Sequence, residues 1–363
     1  KQKEKNMNNL KKLGLSALAG SLVAVSAQAG EISVSGSANV TYKTKPGVTG
    51  KSIGTDKDVA FTGSGELDNG WTFTVSTLLT DAMTVSSSYT SITMGSMGTV
   101  SFGADTGGAS YKYDEEVPQA YEQTSDANQN SANIVGNQMD SNMIVYNSPS
   151  FDMGGASISF DLEASPNANG NAANDGGLAA YDNYGTGIGA GVTVKYDALT
   201  IGVYGAQIEN NKAVQAQAAN DSGDAIGDVF DGVWYAKYSF GPVSIGYSES
   251  YQDQGIAGTA AAATAAKVVR TATGIFEADT ISVAFNVNDN LSISYTETED
   301  TYDAQDNAST AVSDVTMTTD AIQVAYSMGG MSIKAYNMET KNPGYDNDAA
   351  TVSATEIALG LAF

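Results

Sequence analysis

The sequence predicts an all-β fold, a 16-stranded antiparallel transmembrane β-barrel, and three observations carry that prediction. Apolar and polar residues alternate with period two in sixteen separate runs. The connections between the runs alternate between tight turns and long polar loops. The chain closes on an amphipathic stretch, "TEIALGLAF", in which Ile357, Leu359, Leu361 and Phe363 alternate with Glu356, Ala358, Gly360 and Ala362. Chain ends usually fray unless something ties them down. A closed ring supplies the reason, because an open strand edge in lipid leaves backbone groups unsatisfied at several kcal/mol each.

Residues 1–29 are read as upstream residues followed by a secretory signal peptide. Lys11 and Lys12 precede an apolar run from Leu13 to Val25, and Ala27-Gln28-Ala29 is a small-residue cleavage site. Cleavage is expected after Ala29, leaving 30–363 as a single barrel domain. Strand 1 then offers Ile32, Val34, Gly36, Ala38, Val40 and Tyr42 on one face and Ser33, Ser35, Ser37, Asn39 and Thr41 on the other. Further runs cover 57–67, 71–80, 86–95, 99–104, 141–149, 155–164, 187–197, 199–208, 230–240, 243–251, 274–287, 291–299, 319–328, 331–339 and 352–363.

Seven tight turns fall at 68–70, 96–98, 151–154, 197–198, 241–242, 288–290 and 329–330, rich in the Gly, Asn and Asp that positive φ demands. Eight long polar loops interleave with them, near 43–56, 81–85, 105–140, 165–186, 209–229, 252–273, 300–318 and 340–351. A soluble β-sandwich gives the same alternation but no strict short–long rhythm, and it wants bulkier apolar faces than the Ala, Gly and Val found here. Short turns on one side and long loops on the other are the habit of outer-membrane barrels. Tyr42, Trp71, Tyr89, Tyr146, Tyr196, Trp234, Tyr238, Phe240, Tyr247, Tyr295, Tyr326 and Phe363 recur at strand ends as interfacial girdles.

Charge and composition narrow the function. The 363 residues carry 17 basic and 41 acidic side chains. The leader holds five Lys and one Glu, so residues 30–363 keep 12 basic and 40 acidic groups, net −28. Arg270 is the single Arg. That balance excludes nucleic acid as a partner, since its phosphates need Lys and Arg. His and Cys are both absent, which removes disulfides, His-based proton shuttles and His- or Cys-ligated zinc. No cofactor or catalytic constellation is expected, and the reading is not an enzyme.

The chain resembles a known family. The leader followed by "GEISVSGSANVTY", the block "SYTSITMGSMGTVSFGADTGG" (88–108), the strand "NMIVYNSPSF" (142–151) and the terminal Phe are similar to the general Gram-negative porins, nearest those of alphaproteobacteria. The resemblance implies a homotrimer in the outer membrane, embedded in its lipid, that lets ions and small hydrophilic solutes diffuse passively. It also implies that the terminal strand, with Ile357, Leu359, Leu361 and Phe363, is read by the barrel assembly machinery. The family folds its third long loop into the lumen as a constriction; here that loop is 105–140, placing Asp105, Tyr111, Lys112, Tyr113, Asp114, Glu115 and Glu116 at or near the eyelet.

Two departures stand out. The family's Pro-Glu-Phe-Gly signature is replaced by "EEVPQAY", and its Arg cluster has no counterpart. Lys43, Lys195, Lys237 and Lys334 are the basic residues on the inward phase. With acids in such excess the pore is expected to prefer cations, and neutralising Asp114, Glu115 and Glu116 is expected to matter more than neutralising Asp221, Asp224 and Asp228.

Other signals are weaker. The acidic stretches at 221–232 and 345–350 could take up Ca2+ through carboxylate oxygens, though solvated surface charge explains them as well. "GTGIGAGV" (185–192) mimics a nucleotide fingerprint but has no following helix and reads as a strand start. The Ala-rich 258–269 reads as a helical turn or as low complexity. Besides the diffusion channel, a solute-selective channel and a non-conducting adhesin or structural barrel remain open readings.

Overall fold

A computed structural model describes residues 30–44, 51–104, 108–126, 139, 141–168, 184–210, 227–253, 255, 263–264, 267–268, 275–303 and 314–362. The leader, Asp105, Arg270, Asp221, Asp224 and Phe363 lie outside the described residues. No helix among the described residues is long and apolar enough to cross a membrane. The crossing is made by strands.

Seventeen hydrogen-bonded segments form one closed antiparallel sheet. Two of them, Ser141–Asn147 and Phe151–Met153, both pair with the strand that follows and are one strand interrupted at Pro149. Proline has no N–H to give the ladder, and Ser148 patches the gap by donating its N–H to Phe160 O (2.9 Å) and accepting the Phe160 N–H on Oγ (2.7 Å). Sixteen strands therefore make the barrel. They are β1 (Ile32–Thr44), β2 (Lys51–Glu66), β3 (Thr72–Leu79), β4 (Val85–Thr93), β5 (Thr99–Ala104), the interrupted β6, β7 (Ala156–Ser165) and β8 (Tyr184–Tyr196). The second half runs β9 (Leu199–Asn210), β10 (Val229–Phe240), β11 (Val243–Asp253), β12 (Ile275–Asn288), β13 (Leu291–Asp303), β14 (Val315–Met328), β15 (Met331–Lys341) and β16 (Val352–Ala362).

The ring closes where the terminal strand predicts. β1 and β16 pair from Ser37↔Ala362 to Thr44↔Thr355. Every tight turn joins the strands expected of it; at 197–198 Asp197 takes φ 51°, and Gly154-Gly155 takes φ 67° and 91°, values that favour Gly and Asp. Several boundaries differ: β13 runs on to Asp303, β14 begins at Val315, and Phe151–Met153, read as part of a turn, is strand. β2 begins at Lys51, not at 57, because Ile53 and Thr55 continue the outward phase opposite Tyr42 and Val40.

The outer surface is apolar and the lining polar, the reverse of a soluble domain. Ile32, Phe160, Leu162, Ile188, Val203, Trp234, Ile281 and Ile322 all point outward and are 40–78% exposed, as a lipid-facing band requires. Ser248, Ser282, Thr280, Thr296 and Thr298 on the inward phase are buried. Two sequence expectations need correction here. Tyr89 pairs with Ser76 on the lumen phase, so it is a lining residue and not part of an outer girdle. On β9 and β10 the inward phase also carries apolar and aromatic side chains: Tyr204, Ile208, Val229, Val233 and Tyr235 are buried. Something inside the barrel covers them.

Candidate functional site

The cover is the third long loop. Its described part, 108–126, crosses the inner wall and takes a grip on almost every strand it passes. Ala109 N donates to Glu163 Oε2 on β7 at 2.5 Å. Asp161, two residues earlier on the same face, accepts Lys112 Nζ, Tyr113 OH and Asn147 Nδ2 at 2.6–2.7 Å. On β9 and β10 the Tyr113 ring stacks against Tyr204, with centroids 5.4 Å apart, and meets Tyr235 at 6.3 Å. Tyr204 OH also donates to Glu163. Glu116 pairs with Lys237 on β10.

Farther on, Ser282 Oγ on β12 donates to Pro118 O. Ala120 N donates to Ser294 Oγ on β13 (2.9 Å) and Tyr121 N to Gln323 Oε1 on β14 (2.7 Å). Tyr121 OH donates to Glu356 Oε1 on β16 at 2.7 Å, and its ring lies 5.8 Å from Tyr336 on β15. There the loop turns back, and Thr124 meets Thr298 on β13 at 2.7 Å.

The wall is shaped to receive it. A Cβ on Gly191 of β8 would run into the Tyr113 ring, and one on Gly246 of β11 would run into Pro118 Cδ. Only glycine lets the loop lie this close. Burial raises the pKa of both loop tyrosines; the carboxylates that accept from them, Asp161 for Tyr113 and Glu356 for Tyr121, raise it further. Both phenols therefore stay neutral donors.

The expected eyelet residues divide. Tyr111 is 75% exposed. Lys112, Tyr113 and Glu116 are spent on the wall. Asp114 is half-buried, with its N–H on Ser110 O at 3.1 Å. Glu115 is the clear correction. At φ 43° and 3% exposure it turns away from the lumen, accepting Thr124 Oγ1 (3.1 Å) and Ser125 Oγ (2.6 Å) to hold the loop together.

Two of the four inward lysines are neutralised. Lys43 pairs with Glu356 at 3.1 Å and Lys237 with Glu116. Lys334 lies over the Tyr121 ring, 5.2 Å from its centroid, and Lys195 is exposed next to the short-turn rim. Sequence reasoning missed Asp161, Glu163, Glu356, Asp56 and Asp58, all on the inward phase. Their position in the period-two pattern is the signal that could have found them.

A second intrusion was also missed. Tyr345, in the last long loop, is fully buried at φ 58° and packs among Phe276, Tyr302, Val315 and Met317. The acidic 345–350 stretch uses Asp346 to cap its own turn, accepting Asp348 N at 3.0 Å. The described residues contain no metal-binding group of three or more carboxylates.

A model of the Gram-negative porin family matches residues 14–225, more than half of the chain. The chain belongs to the Gram-negative porin family. It is therefore an outer-membrane channel protein, as its closed 16-stranded barrel also indicates. Among solved structures, this porin is similar to Salmonella typhi OmpF in complex with daunomycin, at 10% identity and a TM-score of 0.66, over 92% of this chain and 98% of that one. It is similar to an anion-selective porin from Comamonas acidovorans at 14% identity and a TM-score of 0.60, over 92% and 100%. It is also similar to the trimer form of Vibrio cholerae OmpT at 13% identity and a TM-score of 0.61, over 92% and 100%. At these identities the likeness is one of fold. No curated protein matches its sequence.

Proposed function

We propose that this porin is a cation-preferring passive diffusion channel that works as a homotrimer. The observation that carries the preference is the charge left uncompensated in the lumen. Lys43, Lys112 and Lys237 each face a carboxylate within 4 Å. The wall opposite the loop, on β1 to β5, offers hydroxyls such as Ser35, Ser37, Thr74 and Ser91 together with Asp56 and Asp58. With most of the lumen lysines cancelled, Lys195 and Lys334 excepted, and with acids on the bare wall, the channel concentrates cations, most strongly where a low-dielectric wall focuses the field.

Outward hydroxyls support the homotrimer. On the short strands β3 and β4, Thr77, Ser88 and Thr90 take outward positions where lipid would favour aliphatic side chains. The Vibrio cholerae relative is described as a trimer. Asp105, Tyr111 and Asp114 remain the acidic and aromatic candidates for the constriction, and the terminal strand that closes the ring is the natural mark for the assembly machinery. Export would remove residues 1–29 after Ala29.

Reconstitution into a planar bilayer tests the preference. A reversal potential across a KCl gradient should carry the sign of cation selectivity, and the opposite sign would end the proposal.

A further inference from the structure

We propose that the tip of the third loop, together with β15, β16, β1 and β2, forms a subsite for a small zwitterion whose charges lie several ångströms apart, such as an ω-amino acid. The proposal rests on the reading of the lumen as an open channel and adds a class of solute that the channel recognises.

Strand register lays out the lining in rows. Ser332, Gly360, Asn39 and Asp56 stand side by side in one inward row across the four strands. Lys334, Ala358, Thr41 and Gly54 form the next row, and Tyr336, Glu356, Lys43 and Ser52 the third. The middle of the first two rows is floored by Ala358 and Gly360. A Cβ on Gly360 would fall 2.6 Å from Ser332 Oγ and 3.1 Å from Asn39 Oδ1, so the absence of a side chain keeps the floor open.

Charge then separates across that floor. In the third row Lys43 and Glu356 cancel at 3.1 Å. In the first two rows nothing cancels: among the described residues, Lys334 and Asp56 each lack an ionic partner within 4 Å. They sit on strands three spacings apart, about 14 Å of backbone at ~4.8 Å per strand. A lysine side chain leaning over the floor shortens that gap to the length of one small molecule.

The loop supplies the remaining wall. Tyr121 is held there by Glu356 and Gln323, and Glu122 follows it. The result is a polar pocket of about 300 Å3 lined by Asp56, Asn39, Tyr121, Glu122 and Lys334 over the small floor, at the small end of the range for ligand sites. An ammonium at one end and carboxylates at the other match a molecule carrying one charge of each sign. A singly charged solute satisfies one end and leaves the other unanswered.

The probe is 4-aminobutyrate, with n-butylamine and butyrate as its one-charge halves. Added to the reconstituted channel in KCl, 4-aminobutyrate should reduce the current saturably, and each half should need about tenfold more, one such lost interaction being ~1.4 kcal/mol. Lys334→Met and Asp56→Asn should each raise the half-blocking concentration by about tenfold on the same scale. The exchange Lys334→Asp with Asp56→Lys should restore block, because the zwitterion can bind reversed; circular dichroism confirms that each variant is folded. Equal block by all three solutes, or block unchanged in both single variants, would overturn the proposal. Calorimetric titration of the detergent-solubilised protein reads the same affinity without current. A barrel that binds but does not conduct overturns the channel reading alone, and one that conducts but does not bind overturns this one.

Discussion

The two halves of the barrel's inner wall are built by opposite rules. From β7 to β16 the wall is a seat: its inward positions carry glycine where the loop presses closest, aromatic and aliphatic side chains where a ring settles, and polar grips on β7, β10, β12, β13, β14 and β16. From β1 to β5 the wall is bare and carries chiefly Ser, Thr, Asn, Tyr89 and two Asp, with Lys43 drawn to Glu356 of the neighbouring strand. The difference teaches where a porin's selectivity can reside. Carboxylates on the seat are consumed in holding the loop, since a buried carboxylate must be paired or hydrogen-bonded, and among the seat's lysines Lys195 and Lys334 are left over; Asp56 and Asp58 on the bare wall stay available to a passing ion.

Deleting 108–126 should break the comparison most severely. With the seat uncovered, single-channel conductance should rise well above the intact channel's, and an unchanged conductance would mean that the loop does not narrow the path. Gly191→Val works through one contact. Its side chain would drive into the Tyr113 ring, which leaves no room even for a Cβ, and overpacking of this kind costs about 1–3 kcal/mol. The loop should lift at that point, raising conductance and lowering thermal stability together.

Carboxylate variants sharpen the comparison with a smaller effect. Asp56→Asn with Asp58→Asn should reduce the cation-to-anion permeability ratio at low salt, where the Debye length is about 10 Å or more. Glu115→Gln should leave that ratio in place and instead loosen the loop, losing charge-assisted hydrogen bonds worth about 1.5–3 kcal/mol. Selectivity that follows Glu115 and ignores Asp56 and Asp58 would reverse the assignment of the two walls.

The sequence made the bare half legible and hid the other. In β1, strict alternation from Ile32 to Tyr42 gives both faces, and the amphipathic 355–363 stretch gives the closure. Both depend on a simple boundary, lipid outside and water inside. The seat has no such boundary, because its inward face meets protein. Ile208, Val229 and Val233 therefore break the polar-in rule, and the glycines at 187, 191 and 246 look like weak strand positions until the loop's Met139, Tyr113 and Pro118 lie against them. Glu115 misled for a related reason. Within the run Asp114-Glu115-Glu116 nothing local distinguishes an acid facing water from one that binds Thr124 and Ser125 of its own loop.

The absence of cysteine from the chain makes the most direct test clean. A single thiol is placed at Ser91 on the bare wall of β4, or at Thr296 on β13, whose side chain is fully buried beside the loop. A charged, membrane-impermeant thiol reagent is then added while the current of the reconstituted channel is recorded. Current should fall stepwise for Ser91→Cys and stay unchanged for Thr296→Cys. Equal reactivity at the two positions would contradict the division of the wall into a covered and a bare half.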